Sequence, residues 1–392
     1  MRKAIFVVLG VFALTAQAPA DPVMTNYRAY RTALQAGDLA AAETAGRAAW
    51  QAANAADPSG SRTGLLALNY AKVALANGHR EAGHAAAQQA VALASSAPGA
   101  GLDALVAGLI LGRTELVRGA TEQDVGALID AIRAAHDRAD LSADAFEAAN
   151  DLGEWALNER HFQLAADSYD QAALFSGSAQ GDHDLARGQA RMAQGVALVA
   201  LATSSEVDQW GRGLGVTGSN LRAADQGDFY RQAQAALVQA EEAVFPLAMV
   251  RPAETALTVA QRTYATARAW RTVINSRLSS DHQTRLPDPQ VNLRVRITDP
   301  RPFCAIRVVE EPQARYPGGA AQQGEFGAVV TRMLINPDGS TRDVQVAAAV
   351  PERFGVPVRA VASHWRVERT AESPDDCQML PVVFYPIMFY LR

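Results

Sequence analysis

Lysine is all but missing from this chain of 392 residues: Lys3 and Lys72 are the only two, and arginine carries nearly all the positive charge. The formal net charge is −5. A nucleic-acid-binding protein needs an excess of base on one face, so that class of partner is excluded. Cysteine is scarce too, with Cys304 and Cys377 as the whole supply. Two thiols cannot hold zinc without help from His or carboxylates, and no metal-ligand spacing surrounds them. Catalytic signatures are absent: there is no G-x-S-x-G and no H-E-x-x-H. Gly211, Gly213, Gly215 and Gly218 form a glycine-rich stretch, but no Lys-Ser/Thr pair follows in P-loop spacing and no strand precedes it. His161, His183 and His364 are scattered, and Asp182-His183-Asp184 reads as a solvated turn between helices. Trp155, Tyr169 and Trp365 sit among apolar residues at helical spacing, where core packing is the default role. The chain therefore reads as a non-enzyme with no cofactor and no metal.

Long apolar runs are also missing, apart from one at the start. In MRKAIFVVLGVFALTAQAPA, Arg2 and Lys3 precede an apolar run from Ala4 to Ala16, and Ala18-Pro19-Ala20 resembles a cleavage signal before Asp21. That is the pattern of a secretory signal peptide over residues 1–20. The run is short for the ~30 Å of hydrocarbon in a bilayer, so cleavage is favoured over an uncleaved anchor. The expected location is the periplasm, with inner-membrane anchoring if residues 1–20 stay attached. In such an oxidising compartment the two cysteines are expected to bridge, the alternative being free buried thiols.

What is present is alanine-rich helix. From Tyr27 to about Ser280, apolar residues recur at three- and four-residue spacing. Turn positions recur as well: Gly37, Gly78, Gly119 and Arg160 stand 41 residues apart. Small residues at Ala42, Ala82 and Ala165 follow the turns, where they would let paired helices approach closely. LGEWALNERHFQLAADSYDQAALFS, from Leu152 to Ser176, resembles a tetratricopeptide repeat most closely. The expected form is a tetratricopeptide-like α-solenoid over residues 21–280 with a peptide- or protein-binding surface; the alternative is a plain helical bundle.

Residues 281–290 are polar and contain two prolines, which marks a linker. Beyond them VNLRVRIT alternates like a half-buried strand, and residues 291–392 form a second, small domain. GAVVTRMLI and STRDVQVAAA flank Asn336-Pro337-Asp338-Gly339, whose residues suit a tight turn, so a hairpin is expected. PERFGVPVRAVASHWRV then reads as a short helix, with Pro357 tolerated in its first turn. LPVVFYPIMFYLR is the final strand, giving β-β-α-β and an α+β multidomain protein overall.

Together, Pro312, Ala314-Arg315-Tyr316-Pro317, Gly327, Pro337-Asp338-Gly339, Asp343-Val344-Gln345-Val346, Phe354, Trp365 and the closing strand resemble the TonB C-terminal domain family. The resemblance covers about 80 residues. Two departures stand out: Arg369 occupies a position that is usually proline, and the final strand carries Pro381 and Pro386. The resemblance implies strand addition, in which the last strand offers its free edge to an extended segment of a TonB-dependent outer-membrane transporter. Carried over, that edge is Val382, Val383, Phe384, Tyr385, Ile387 and Phe389. The implied function is energy-coupled transport across the outer membrane, with inner-membrane motor proteins as partners if the N-terminus is uncleaved. The alternative is a periplasmic scaffold that uses its helices to bind partners without energy transfer, or an edge already covered by the chain itself.

Overall fold

The computed structural model describes residues 21–96, 101–138, 142–178, 182–203, 223–250, 256–280, 304, 306–310, 314–322, 327–336, 341–377 and 382–389. The signal-peptide residues, the glycine-rich stretch, the linker 281–290, the strand expected at 291–298, Pro312, the turn residues Pro337, Asp338 and Gly339, and Pro381 lie outside them. The chain divides into two compact units, Met1–Gly119 and Ala120–Arg392.

The first unit contains α1 (Pro22–Gln35), α2 (Leu39–Ala56), α3 (Ser61–Ala76), α4 (Arg80–Ser96) and α5 (Ala104–Glu115), each packed on the next. The second opens with α6 (Glu122–Ala135), α7 (Ser142–Asn158), α8 (Phe162–Phe175), α9 (His183–Thr203), α10 (Ala223–Ala248) and α11 (Val259–Ser280), which also pack in succession.

The 41-residue spacing has a backbone cause. Gly37, Gly78, Gly119 and Arg160 all adopt positive φ, at 72°, 77°, 86° and 65°. At three of them the same closure repeats: Asp38, His79 and His161 donate their N–H groups to Ala33, Ala74 and Ala156 at 2.9, 2.8 and 2.7 Å. This left-handed C-terminal cap satisfies carbonyls that the helix end leaves open. Asp38 then caps the next helix through Ala41 N–H at 2.9 Å. Asp182 caps α9 likewise, accepting from Asp184 and Leu185 at 3.0 and 3.1 Å. Asp182-His183-Asp184 is thus a helix start rather than a free loop, and no group of three or more metal-ligating side chains occurs among the described residues.

Close helix packing follows the small residues, with one correction. Ala42 and Ala165 are fully buried, but Ala82 is exposed. The packed position is Gly83, where an added Cβ would lie 3.2 Å from the Ala71 backbone. Gly83 keeps the 41-residue offset from Ala42, so the spacing rule held where the residue type misled. Gly188 and Gly195 do the same between α9 and α10, meeting Val244 and Leu237 at 2.3 and 2.6 Å from an added Cβ.

A buried carboxylate ties neighbouring helix pairs in the first unit. Glu43 of α2 is 6% exposed. It accepts from Asn77 at 2.7 Å and lies 2.7 Å from His79 Nδ1, both in the turn around Gly78. Burial pushes the Glu43 carboxyl up, but the Asn77 and His79 hydrogen bonds and the His79 and Arg47 charges outweigh it and hold it below its ordinary value.

The end of the second unit is a small β module: β1 (Ile306–Glu310), α12 (Gly318–Gln322), β2 (Gly327–Ile335), β3 (Thr341–Val350), α13 (Gly355–Val361), β4 (Arg366–Arg369) and β5 (Val382–Phe389). β2, β3, α13 and β5 supply the expected β-β-α-β order. β1 and β4, which the sequence pattern did not reveal, pair with each other as a separate antiparallel ribbon. Cys304 and Cys377 are bridged beside that ribbon, 73 residues apart. Closing a loop of that length stabilises by roughly 4 kcal/mol in the chain-entropy model.

Arg160 is the one cap in the repeating series without glycine. A residue with a Cβ pays about 1 kcal/mol for left-handed backbone, so Arg160→Gly is expected to raise stability by about that amount. Urea-denaturation midpoints check it, and a lower midpoint for the variant contradicts the cap assignment.

Candidate functional site

The main sheet has the order β3-β2-β5, antiparallel throughout. β2 is central, and all nine of its residues are buried. An isolated three-stranded sheet leaves two apolar faces in water; here both are covered. On one face Ala328, Val330, Leu334, Val350, Val382 and Phe384 pack against Val244, Phe245 and Ala248 of α10 and Tyr264, Ala265 and Ala269 of α11. On the other, Val329, Met333, Ile335 and Phe389 meet Ala320, Phe354, Val358, Ala362, Trp365 and Val367.

Arg332 crosses the first interface. It is fully buried and donates to Gln261 of α11 at 3.2 Å and to Asp343 at 2.9 Å. Burial pulls its guanidinium below the ordinary arginine value, and the Asp343 charge opposes that. Asp343 has φ +52°, a conformation that Asp tolerates better than most residues. Behind α11, Arg271 makes a bidentate pair with fully buried Glu241 of α10, at 2.7 and 3.1 Å. Arg268 donates to the Tyr264 hydroxyl at 3.1 Å, and the Tyr264 ring lies 5.0 Å from that of Phe384 on β5. Burial raises the Tyr264 phenol above its usual range.

The motif residues read from the sequence build the second core. Tyr316 sets its ring edge-on to Phe354 and Phe389, at 5.6 and 5.8 Å. Pro317 leads straight into α12. Gly327 leaves no room for a side chain: an added Cβ would sit 2.6 Å from the Val350 carbonyl and 2.7 Å from the Phe354 ring. Trp365 is 2% exposed and meets Tyr385 edge-on at 5.9 Å. These side chains clamp β5 from Tyr385 to Phe389 against the rest of the module. Arg369 ends β4 and donates to the Ser373 and Pro374 carbonyls of the loop leading to Cys377.

β5 itself presents backbone rather than side chains. Val382, Phe384 and Phe389 are buried, and Val383, Tyr385 and Ile387 are half-buried. Its register with β2 runs unbroken from Gly327↔Phe389 to Leu334↔Val382. Among the described residues, no strand pairs with its outer side. The opposite edge, β3, also has no outer strand partner among the described residues, but its register with β2 shifts twice, between Val330 and Thr331 and between Arg332 and Leu334. Such irregularities blunt an edge. β5 is the regular edge.

Residues 312–386 match the family of the Gram-negative bacterial TonB protein C-terminal. This segment is a TonB C-terminal domain. No curated protein and no solved structure matches the chain. The match spans α12, β2, β3, α13, β4 and most of β5 of the TonB C-terminal domain, and leaves β1 and all of α1–α11 outside it. Sequence reading placed the final strand correctly in the order of elements. It missed α10 and α11 as the cover of the domain's other face. The signal was there: GAVVTRMLI does not alternate, as a strand buried on both faces does not.

Removing Arg332 would strand Asp343 at the edge of the interface. Arg332→Ala is expected to lower stability by about 3 kcal/mol, measured by chemical denaturation of the full chain; a midpoint near wild type contradicts the clamp.

Proposed function

We propose that this is a periplasmic TonB-like protein that takes an extended segment of an outer-membrane transporter onto the outer edge of β5, as part of energy-coupled transport. The observation that carries the proposal is a regular edge strand inside a TonB C-terminal domain, with no strand partner on its outer side among the described residues. Strand addition suits the task. Backbone hydrogen bonds supply affinity with little demand on side-chain identity, and they transmit a pull along the strand. Val382, Val383, Phe384, Tyr385, Ile387 and Phe389 form the binding strand in this proposal, and their side chains hold the edge in place from both cores.

A second reading is supported by one feature. α10 and α11 pack directly on the sheet, so the helices of the second unit are rigidly joined to it rather than trailing from it. That suits a periplasmic scaffold that holds a partner without energy transfer. No described helix is long and apolar enough to cross a membrane.

A photoreactive amino acid at Ile387, with one at exposed Val356 on α13 as control, separates the two. The transport proposal expects a TonB-dependent transporter crosslinked at Ile387 and not at Val356, with a yield that changes when the proton gradient is collapsed. A transporter adduct indifferent to the gradient favours the scaffold; no transporter adduct in transporter-rich cells overturns strand addition.

A further inference from the structure

The outer row of β5 backbone groups can be assigned residue by residue. Thr331 Oγ1 donates to the Tyr385 carbonyl at 3.3 Å, and Thr331 stands opposite Tyr385 in the register. The Tyr385 carbonyl therefore faces β2. In an antiparallel ladder each residue turns its N–H and C=O to the same neighbour, and successive residues alternate. With no break in register, Val383, Tyr385, Ile387 and Phe389 serve β2. Val382, Phe384, Pro386 and Met388 turn their backbone groups outward.

Proline has no N–H to give. The outer row thus offers a donor and an acceptor at Val382 and at Phe384, an acceptor alone at Pro386, and both again at Met388. A regular strand laid along the whole row would bring one carbonyl against Pro386 with nothing to bond. Leaving a polar group unbonded and shielded from water costs about 1–3 kcal/mol. That penalty cancels what the extra residues of a long strand contribute, since each added backbone bond is worth only about 1 kcal/mol net. A short segment aligned on Val382–Phe384 avoids the gap altogether.

We propose that Pro386 sets the length and register of strand addition: the β5 edge accepts a short extended segment of roughly five residues aligned on Val382–Phe384, and refuses a long regular strand, including β5 of a second copy. The partner half rests on the strand-addition reading above; the refusal of self-pairing does not. Proline within an edge strand is a recognised way of keeping sheet edges apart. Here it does so without sealing the whole edge.

The test uses the full chain and its Pro386→Ala and Pro386→Val variants, each checked for a wild-type denaturation midpoint. The probes are fluorescein-labelled alternating Thr-Val peptides of five and eleven residues, read by fluorescence anisotropy, together with sedimentation velocity of each protein alone. The expected result is equal affinity of wild type for the two peptides, about tenfold tighter binding of the longer one by both variants, and dimers in the variants at concentrations where wild type is monomeric. If wild type itself favours the longer peptide as strongly as the variants do, the role of Pro386 is overturned while strand addition stands. If no protein binds either peptide and the variants stay monomeric, both the role of Pro386 and the open edge are overturned.

Discussion

A three-stranded sheet with a central strand buried along its whole length must be covered twice. That constraint organises the second unit. Every residue of β2 is buried, and neither α13 nor the aromatic group around Trp365 reaches the face that carries Ala328, Val330 and Leu334. α10 and α11 do. The interface is mixed: an apolar patch with Arg332 passing through it to Gln261 and Asp343. An apolar contact alone tolerates sliding. A buried guanidinium with two fixed acceptors does not, because any shift leaves a charge unbonded. The helices and the sheet are therefore held in one register.

With both faces covered, the side of β5 that has no strand partner among the described residues is its outer backbone edge. The family motif side chains explain how that edge stays straight. Tyr316, Phe354 and Phe389 form a three-ring group at its far end, Trp365 supports Tyr385, and Gly327 lets β2 approach Val350 closely enough to hold the ladder. They position the strand, and the strand's main chain does the binding in the proposal.

The legible parts of the fold are those set by backbone demands. The 41-residue recurrence marks left-handed helix caps, a requirement so local that it exposed Arg160 even though glycine was missing there. The hairpin, the short helix with Pro357 in its first turn and the final strand were legible for the same reason; the Cys304–Cys377 bridge was legible from the cysteine count and the expected oxidising compartment. Illegible parts depend on distant partners. β1 and β4 are too short to show a period, and their pairing spans some sixty residues of sequence. Ala82 resembles a packing residue by type, yet only geometry reveals that Gly83 faces Ala71. The covering of the sheet by α10 and α11 follows from the unbroken apolar character of β2, but which helices supply the cover does not. The boundary expected at residues 281–290 falls outside the described residues.

The central claim is that the outer side of β5 is open in the free protein and closes when an extended segment is added. Residue-resolved amide hydrogen exchange reads this directly. The account predicts slow exchange at Val383, Tyr385, Ile387 and Phe389, whose N–H groups serve β2, and fast exchange at Val382, Phe384 and Met388, with the second set becoming protected when a transporter segment binds. Equal protection of both sets in the free protein would mean that the edge is already paired, and would contradict the account.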